Sequence, residues 1–297
     1  MSKLKKIWKD PCCLLRKSIA MGIFNCLPDK SYLELIYYAH FGKKLDLENP
    51  KTFNEKVQWL KLYDRKPEYT TMVDKYEVKK YVAEKIGKEY IIPTIGVWDH
   101  VVDIDFESLP NQFVLKCTHD SGNVVICKDK SKFDTKKTKK KIEDSLKREY
   151  FFWGREWPYK NVKHRIIAEA YLEDETTQEL RDYKWYCFNG IPQILAIFCN
   201  RTIGKTKVNY FDMNFNHLEF NWGYPHAVNP PKKPVNFDKM KQFAFILSKN
   251  IPLLRVDFYE ANGNLYFGEL TFYDGSGFDK MDPEWDEKIG SWICLPK

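Results

Sequence analysis

Two carboxylates and a guanidinium near the end of the chain have the types and spacing to hold a divalent cation. They lie in RVDFYEANGNLYFGELTFY, residues 255–273, two strand-like runs joined at Asn262–Gly263, a strong hairpin signal. Register decides which side chains share a face. A two-residue Asn-Gly loop places Asp257 opposite Gly268 and turns Glu269 to the other side. A three-residue loop, Asn262 to Asn264, or an equivalent bulge, pairs Arg255 with Thr271 and Asp257 with Glu269, all on one face. Neighbouring carboxylates repel, and a divalent cation between them relieves the repulsion. Without a cation at least one of the two should titrate high. The alternative is that Asp257 and Glu269 face solvent, each paired with a lysine.

A second candidate is FVLKCTHDSGNVVI, a strand followed by a small-residue loop. Lys116 lies inside an apolar strand, where an unpaired ammonium is costly, and a phosphate is one natural partner. Thr118, Ser121, Gly122 and Asn123 could fold backbone N–H groups around phosphate oxygens. The G-x-x-x-x-G-K-[ST] pattern of a P-loop is absent. The bland alternative is an exposed edge-strand lysine before a tight turn, and His119 alone reads as structural. A third is IIAEAYLED, where backbone groups of Glu169, Ala170 and Leu172 could meet a purine edge, with Glu173 or Asp174 near a ribose. A fourth is DYKWYCFNG, where Asp182 and Lys184 share a strand face. Asp103-Ile104-Asp105 formally matches a D-x-D metal motif.

The elements that must position these residues follow from periodicity and punctuation. Residues 31–42 read as a helix closed by Gly42, and Thr52 or Asn54 as the cap of the next helix. Residues 74–86 read as a helix capped by Asp74 and ended by Gly87. A lysine-rich helix around 136–141 precedes the aromatic patch YFFWGREW. Strands are expected at 165–172, 182–188 and 192–199, the last two joined at Asn189–Gly190. After a proline-rich stretch, a helix from 237 leads into the hairpin, and the tail from Asp274 reads as polar and turn-rich. Helices first, then mostly antiparallel strands, argue for an α+β fold.

Composition excludes several classes. With 43% hydrophobic and 16% aromatic residues in 297, the chain is globular rather than disordered. It has no apolar run long enough to span a membrane, and Asp10 and Pro11 break the stretch a signal peptide would need. The +7 net charge is concentrated: residues 1–17 carry six Lys/Arg against one Asp, and 128–148 carry ten against four. The remaining chain is mildly acidic, which argues against nucleic acid as a partner. Residues 1–27 read either as an interfacial helix on an anionic membrane face or as a helix packed on its own domain. The eight cysteines include no C-x-x-C pair. They read as reduced, buried and cytosolic rather than as a zinc site or disulfide framework.

Singly these features are weak, but their order along the chain is specific. Asp74-Lys75, the lysine strand and loop from Lys116 to Gly122, E-x-Y-L at Glu169–Leu172, D-x-K at Asp182–Lys184 and RVDFY…GELTFYDGSG follow one another. Together with NPKTFNEKVQWLKLYDR and LPNQFVLK, they resemble the TupA-like ATP-grasp family associated with teichuronopeptide and capsular polysaccharide synthesis. The resemblance covers roughly residues 30–290. It implies antiparallel sheets with helices and a nucleotide held between two subdomains. The expected segments are a basic N-terminal segment (1–30), a helical/substrate subdomain (31–110), a small lid-like subdomain (111–175) and a C-terminal Mg/ATP subdomain (176–297).

The resemblance also implies roles. Lys75, Lys116 and Lys184 would contact ATP phosphates, with Ser121 and Gly122 in the covering loop. Glu169, Ala170 and Leu172 would hold adenine, and Asp257 and Glu269 would bind Mg²⁺. Arg255, with Lys184, would serve catalysis by stabilising the transferred phosphoryl group. Many ATP-grasp enzymes have Asn where this chain has Thr271, a weaker third metal ligand. The implied reaction is carboxylate–amine ligation through an acyl phosphate, joining an amino acid or peptide to the uronic acid of a glycan or lipid-linked saccharide. The implied location is cytoplasmic, with peripheral inner-membrane contact through residues 1–27. The competing reading is a capsular glycosyltransferase using Asp103 and Asp105, and a third is a scaffold with a degenerate ATP site.

Overall fold

The computed structural model describes residues 10, 12–175, 179–199 and 205–296. The first third is helical, as its caps and periodicity require: α1 (Cys12–Ala20), α2 (Asp29–Phe41), α3 (Phe53–Tyr63), α4 (Glu68–Val73) and α5 (Glu77–Ile86). Gly42 closes α2 with φ 69°. Thr52 opens α3 with a reciprocal box: its hydroxyl accepts from Glu55 N–H at 3.2 Å, and the Glu55 carboxylate accepts from Thr52 N–H at 3.1 Å. Asp74 accepts from the N–H groups of Tyr76 and Glu77, so it starts α5 although the helix proper begins at Glu77. Ile19 of α1 is buried against α2, with Leu15, Phe24 and Leu27 packed around it, while Leu14, Met21 and Ile23 are exposed. Most of the basic head expected at the membrane, residues 1–9 and 11, lies outside the described residues.

A four-stranded antiparallel sheet follows, with order β1-β4-β2-β3. Its strands are β1 (Thr94–Trp98), β2 (Phe113–Cys117), β3 (Val125–Cys127) and β4 (Ile166–Ala170). It takes in β1, which lies within the segment 31–110 expected to be helical. The alternation in FVLKC turns Phe113, Leu115 and Cys117 into a core with Ile166, Ala168 and Ile142. Ile142 comes from the lysine-rich helix α6 (Thr135–Leu146). That alternation leaves Lys116 and Glu169 together on the opposite face. A short helix, α7 (Phe151–Gly154), carries the aromatic patch.

The larger sheet has six antiparallel strands in the order β10-β9-β5-β6-β7-β8. They are β5 (Asp182–Phe188), β6 (Ile191–Cys199), β7 (Lys207–Phe211), β8 (His217–Leu218), β9 (Leu253–Ala261) and β10 (Asn264–Thr271). One face is covered by α8 (Phe237–Ser248), whose Phe237, Met240, Ala244 and Leu247 join Trp185, Leu254, Val256 and Phe258 in the main core. The other face carries the polar residues of the same strands.

Three expectations are corrected. The tail is not merely turn-rich, because α9 (Pro283–Trp292) forms there and packs on α3. The proline-rich stretch expected before the helix from 237 is not all loop, because it contains β7 and β8. The cysteines are all free, and the four in strands are buried, but Cys26 and Cys294 are exposed. Among the described residues no helix is long and apolar enough to cross a membrane.

Candidate active site

The polar face of the large sheet is built from two adjacent rungs. Lys184 on β5 pairs directly with Asp257 on β9, and Tyr186 pairs with Arg255, which pairs in turn with Thr271 on β10. Strand alternation puts all of these on the side away from α8. The register near Arg255 is the expected one, and the bulge rather than a three-residue loop produces it. The loop has two residues, Asn262 and Gly263, both with positive φ (51° and 78°), as a tight hairpin turn requires. The pairing then shifts by one between Phe267 and Leu270. Gly268 and Glu269 together oppose Asp257 in a β-bulge. A Cβ on Gly268 would come within 3.1 Å of the Asp257 carbonyl oxygen.

The bulge brings both carboxylates to one guanidinium. Arg255 Nη2 donates to Asp257 Oδ2 at 2.7 Å and to Glu269 Oε1 at 2.8 Å. Nε donates to Asp257 Oδ1 at 2.7 Å, and Nη1 reaches Asp274. The Lys184 ammonium lies on Asp257 Oδ2 and 3.4 Å from Asp182, and Tyr186 donates to Asp274 at 2.7 Å. The expected mutual repulsion is therefore already relieved by protein cations. Burial alone would raise Glu269, but Lys75, Arg255, Lys184 and Lys116 hold it down to about 2. Asp257 is raised by its complete burial, with Arg255 and Lys184 working against the rise.

The face of the small sheet that carries Lys116 supplies the opposing wall. Lys116 pairs with Ile167 and Val114 with Glu169, so Lys116 and Glu169 are diagonal neighbours. The Glu169 carboxylate is buried and takes Lys116 at 2.5 Å and Lys79 of α5 at 2.6 Å. Burial would raise it, and the two lysines bring it below its ordinary value. Lys75 connects the sheets: its N–H donates to Thr118 O at 3.2 Å, and its ammonium lies 3.9 Å from Glu269. Burial lowers the pKa of Lys75, and neighbouring Lys116 adds to the fall.

In the loop after β2, Asp120 is the organising residue. Its carboxylate accepts from Ser121 N–H at 2.8 Å, the Ser145 hydroxyl at 2.6 Å and the Asn123 amide at 2.5 Å. Gly122 has φ 84° and, like Ser121, is exposed. A cavity of about 250 Å³ opens beside this loop, lined by Ser121, Tyr150, Glu156, Arg255, Glu269 and Asp274 among others.

The adenine-holding trio fits its expected task less well. Glu169 is paired on both sides of β4 and its side chain is committed to lysines. The Ala170 N–H donates to Pro93 O at 3.0 Å; only Leu172 lies beyond the strand end. Glu173 is taken by Lys128 at 2.8 Å, and Asp174 accepts from Asn262 N–H at 2.9 Å, so both carboxylates have protein partners. Glu175 N–H in turn donates to the Asn262 side chain, so the connection between the sheets docks on the hairpin tip. Asp105 of the D-x-D sequence accepts from Glu107 N–H in a surface turn, remote in kind from a metal cleft.

Sequence reasoning missed Lys79, Asp274, Lys61 and Glu156. Lys79 is one helical turn beyond Lys75, and Asp274 opens the quoted DGSG, so spacing could have found both. Among the described residues no group of three or more His, Cys, Asp or Glu is placed to hold a metal. Asp257, Glu269 and Thr271 offer two carboxylates and a hydroxyl, which are the donors Mg²⁺ takes. Thr271 Oγ1 lies 3.2 Å from Glu269 Oε1.

A family model described as TupA-like ATPgrasp matches residues 55–294. Among solved structures, the chain is similar to an L-amino acid ligase from Bacillus licheniformis, at 12% identity and TM-score 0.44, covering 84% of this chain and 56% of that one. It is also similar to a D-alanine–D-alanine ligase from Helicobacter pylori, at 14% identity and TM-score 0.41, covering 81% and 69%. The third is a D-alanine–D-alanine ligase from Bacillus anthracis complexed with ATP, at 14% identity and TM-score 0.40, covering 73% of this chain and 57% of that one. The chain thus spans little more than half the length of two of these ligases. No curated protein matches.

Proposed function

Because the chain belongs to the TupA-like ATP-grasp family, we propose that it is an ATP-dependent carboxylate–amine ligase acting through an acyl phosphate. The observation that carries this reading is the facing arrangement of Lys75, Lys116, Lys184 and Arg255 around Glu169, Asp257 and Glu269. Lysines held by carboxylates can exchange those partners for phosphate oxygens when a polyanionic nucleotide enters. Phosphoryl transfer asks little more of a protein than positioning and charge neutralisation.

Lys75 and Lys116 would meet phosphates from the small-sheet side, and Lys184 from the large sheet. Arg255 would neutralise the phosphoryl group in flight. Asp257, Glu269 and Thr271 would hold Mg²⁺, which supplies further charge neutralisation when bound. The carboxylate substrate in this reading is a uronic acid of a surface glycan or lipid-linked saccharide, and the amine is an amino acid or short peptide. Peripheral contact with the inner face of the cytoplasmic membrane is part of the proposal, supported by the exposed Leu14, Met21 and Ile23, which follow the basic residues 3–9 in sequence.

The test is ligand-dependent thermal stability. ATP or ADP with Mg²⁺ should raise the melting temperature, because a ligand at about 100 times its Kd adds about 2.7 kcal/mol. Stabilisation by UDP-sugars and not by millimolar ATP would make this a nucleotide-sugar enzyme and end the ligase reading.

A further inference from the structure

The cavity beside Arg255 contains a carboxylate that the phosphoryl chemistry leaves unused. Glu156 follows α7 and is only 3% exposed, yet it lines the cavity with Glu269 and Asp274. Those two already share the Arg255 guanidinium, whereas among the described residues Glu156 makes no direct ion pair. The Ser276 hydroxyl works with Lys61 to hold the Glu156 carboxyl down and itself accepts from the Lys61 ammonium at 2.8 Å. Lys61 is completely buried and gives its other protons to Gln58 Oε1 and Ser276 O, at 3.0 and 2.7 Å. Ser276 has φ 55°, a strained conformation for serine, and its hydroxyl is held by the Lys61 ammonium.

The adjoining wall is aromatic. Tyr150 and Tyr159 meet edge to face with ring centres 4.6 Å apart, and Trp153 and Tyr273 extend the surface. Burial raises the pKa of both Tyr150 and Tyr159, so they stay neutral. Ring faces and a buried carboxylate both attract an ammonium.

We propose that this cavity is the amine-donor subsite, that the donor's ammonium docks between Glu156 and the Tyr150–Tyr159 wall, and that Glu156 accepts one ammonium proton. The proposal rests on the ligase reading. The nitrogen lone pair so released forms the C–N bond to the acyl phosphate carbon. The C–O bond to phosphate breaks, its electron pair leaving on the phosphate. The second nitrogen proton passes to that phosphate or to water, and Glu156 returns its own proton to solvent. The groups facing Glu156 are Lys61 from α3, Arg255 from β9, Asp274 and Ser276 beyond β10, and Tyr150 and Tyr159. Burial raises Glu156 above the ordinary carboxylate range against the pull of Lys61, which suits a proton acceptor at neutral pH.

The test compares the full-length parent with Glu156→Gln, using Mg²⁺, ATP and glucuronate oligosaccharides as the carboxylate probe. The nucleophile is either a common L-amino acid or hydroxylamine, which is uncharged at neutral pH and needs no proton acceptor. Amide formation should fall about 100-fold and hydroxamate formation far less, with the amide rate recovering as alkali deprotonates the amine in solution. Equal losses of both products, or no loss of either, overturn the proposal. A parent that forms neither product overturns the ligase reading, and the proposal with it. Should Glu156→Gln fail to fold, Tyr150→Leu should raise KM for the amino acid about tenfold with a much smaller change for hydroxylamine, and an unchanged amino-acid KM is equally fatal.

Discussion

Lys184 and Asp257 stand directly opposite each other on β5 and β9, joined through the lysine ammonium and Asp257 Oδ2. They are 6% and 1% exposed. An isolated ion at such a depth costs several kcal/mol, so Asp257 needs the counter-charges of Lys184 and Arg255, and Lys184 those of Asp257 and Asp182. The site is thus assembled before any ligand arrives.

Lys184→Met removes one member of that pair and leaves Asp257 to Arg255 alone. The expected loss is about 3 kcal/mol of stability, read from denaturant unfolding, together with loss of ATP turnover. A variant as stable as the parent would mean that Arg255 alone satisfies Asp257.

Glu269→Gln should abolish ADP formation and cost about 1 kcal/mol of stability without ligand, the worth of a partly exposed charged hydrogen bond. The direction reverses the gain that simple carboxylate repulsion would give, because Arg255 and Lys75 stabilise the charge. Glu269 titrates at about 2 folded against an ordinary value of 4.5. Its contribution is present above 4.5 and disappears as pH falls through 2. Acid unfolding curves of the variant should be flatter over that window.

Lys116→Ala leaves Glu169 with Lys79 and should preserve the fold. Nucleotide affinity, measured by ADP titration, should fall about tenfold for a lost phosphate contact. A large fall in melting temperature without ligand would assign Lys116 to structure instead.

His119→Phe probes the underside of the loop that carries Ser121. The His119 ring is buried, neither nitrogen has a hydrogen-bond partner of normal geometry among the described residues, and it stacks on His164 with centres 3.5 Å apart. Burial, helped by His164, lowers its pKa from 6.5 to about 4. The unfolded chain therefore binds the proton first, and stability is lost as pH falls from 6.5 towards 4. The phenylalanine variant should lose that slope and match or exceed the parent at neutral pH.

Legibility in the sequence followed the range of the interactions. The helix caps at Thr52 and Asp74 are local hydrogen-bond patterns and could be read directly. Period-two alternation put Arg255 with Asp257 and Asp182 with Lys184 on shared faces. The hairpin's register could not be read with equal certainty, because a three-residue loop and a two-residue turn followed by a bulge give the same pairing at Arg255. The tail helix hid in PEWDEKIGSW, which has few apolar residues, although Pro283 in the first turn was a usable start signal. Glu156 was invisible because its surroundings come from residues 58–61, 150–159, 255 and 274–276, which only the folded chain assembles. The engagement of the Ala170 N–H with Pro93 was out of reach for a related reason, its partner lying far back in the chain.

The one-residue offset at Gly268–Glu269 divides the β9–β10 ribbon into two stretches with separate obligations. The tip has to present Asn262 to residues 173–175, the connection between the sheets, and only a tight turn of left-handed residues does so. The base has to turn Glu269 towards Arg255. An uninterrupted ladder would tie these demands together, so that any change in turn length would rotate the carboxylate out of reach. With the offset in place, the turn can gain one residue while Gly268 is deleted, and the carboxylate keeps its aim. Loop geometry and charge placement thereby become separately adjustable, and such a paired insertion and deletion should cost the tip contacts without disturbing the chemistry at the base.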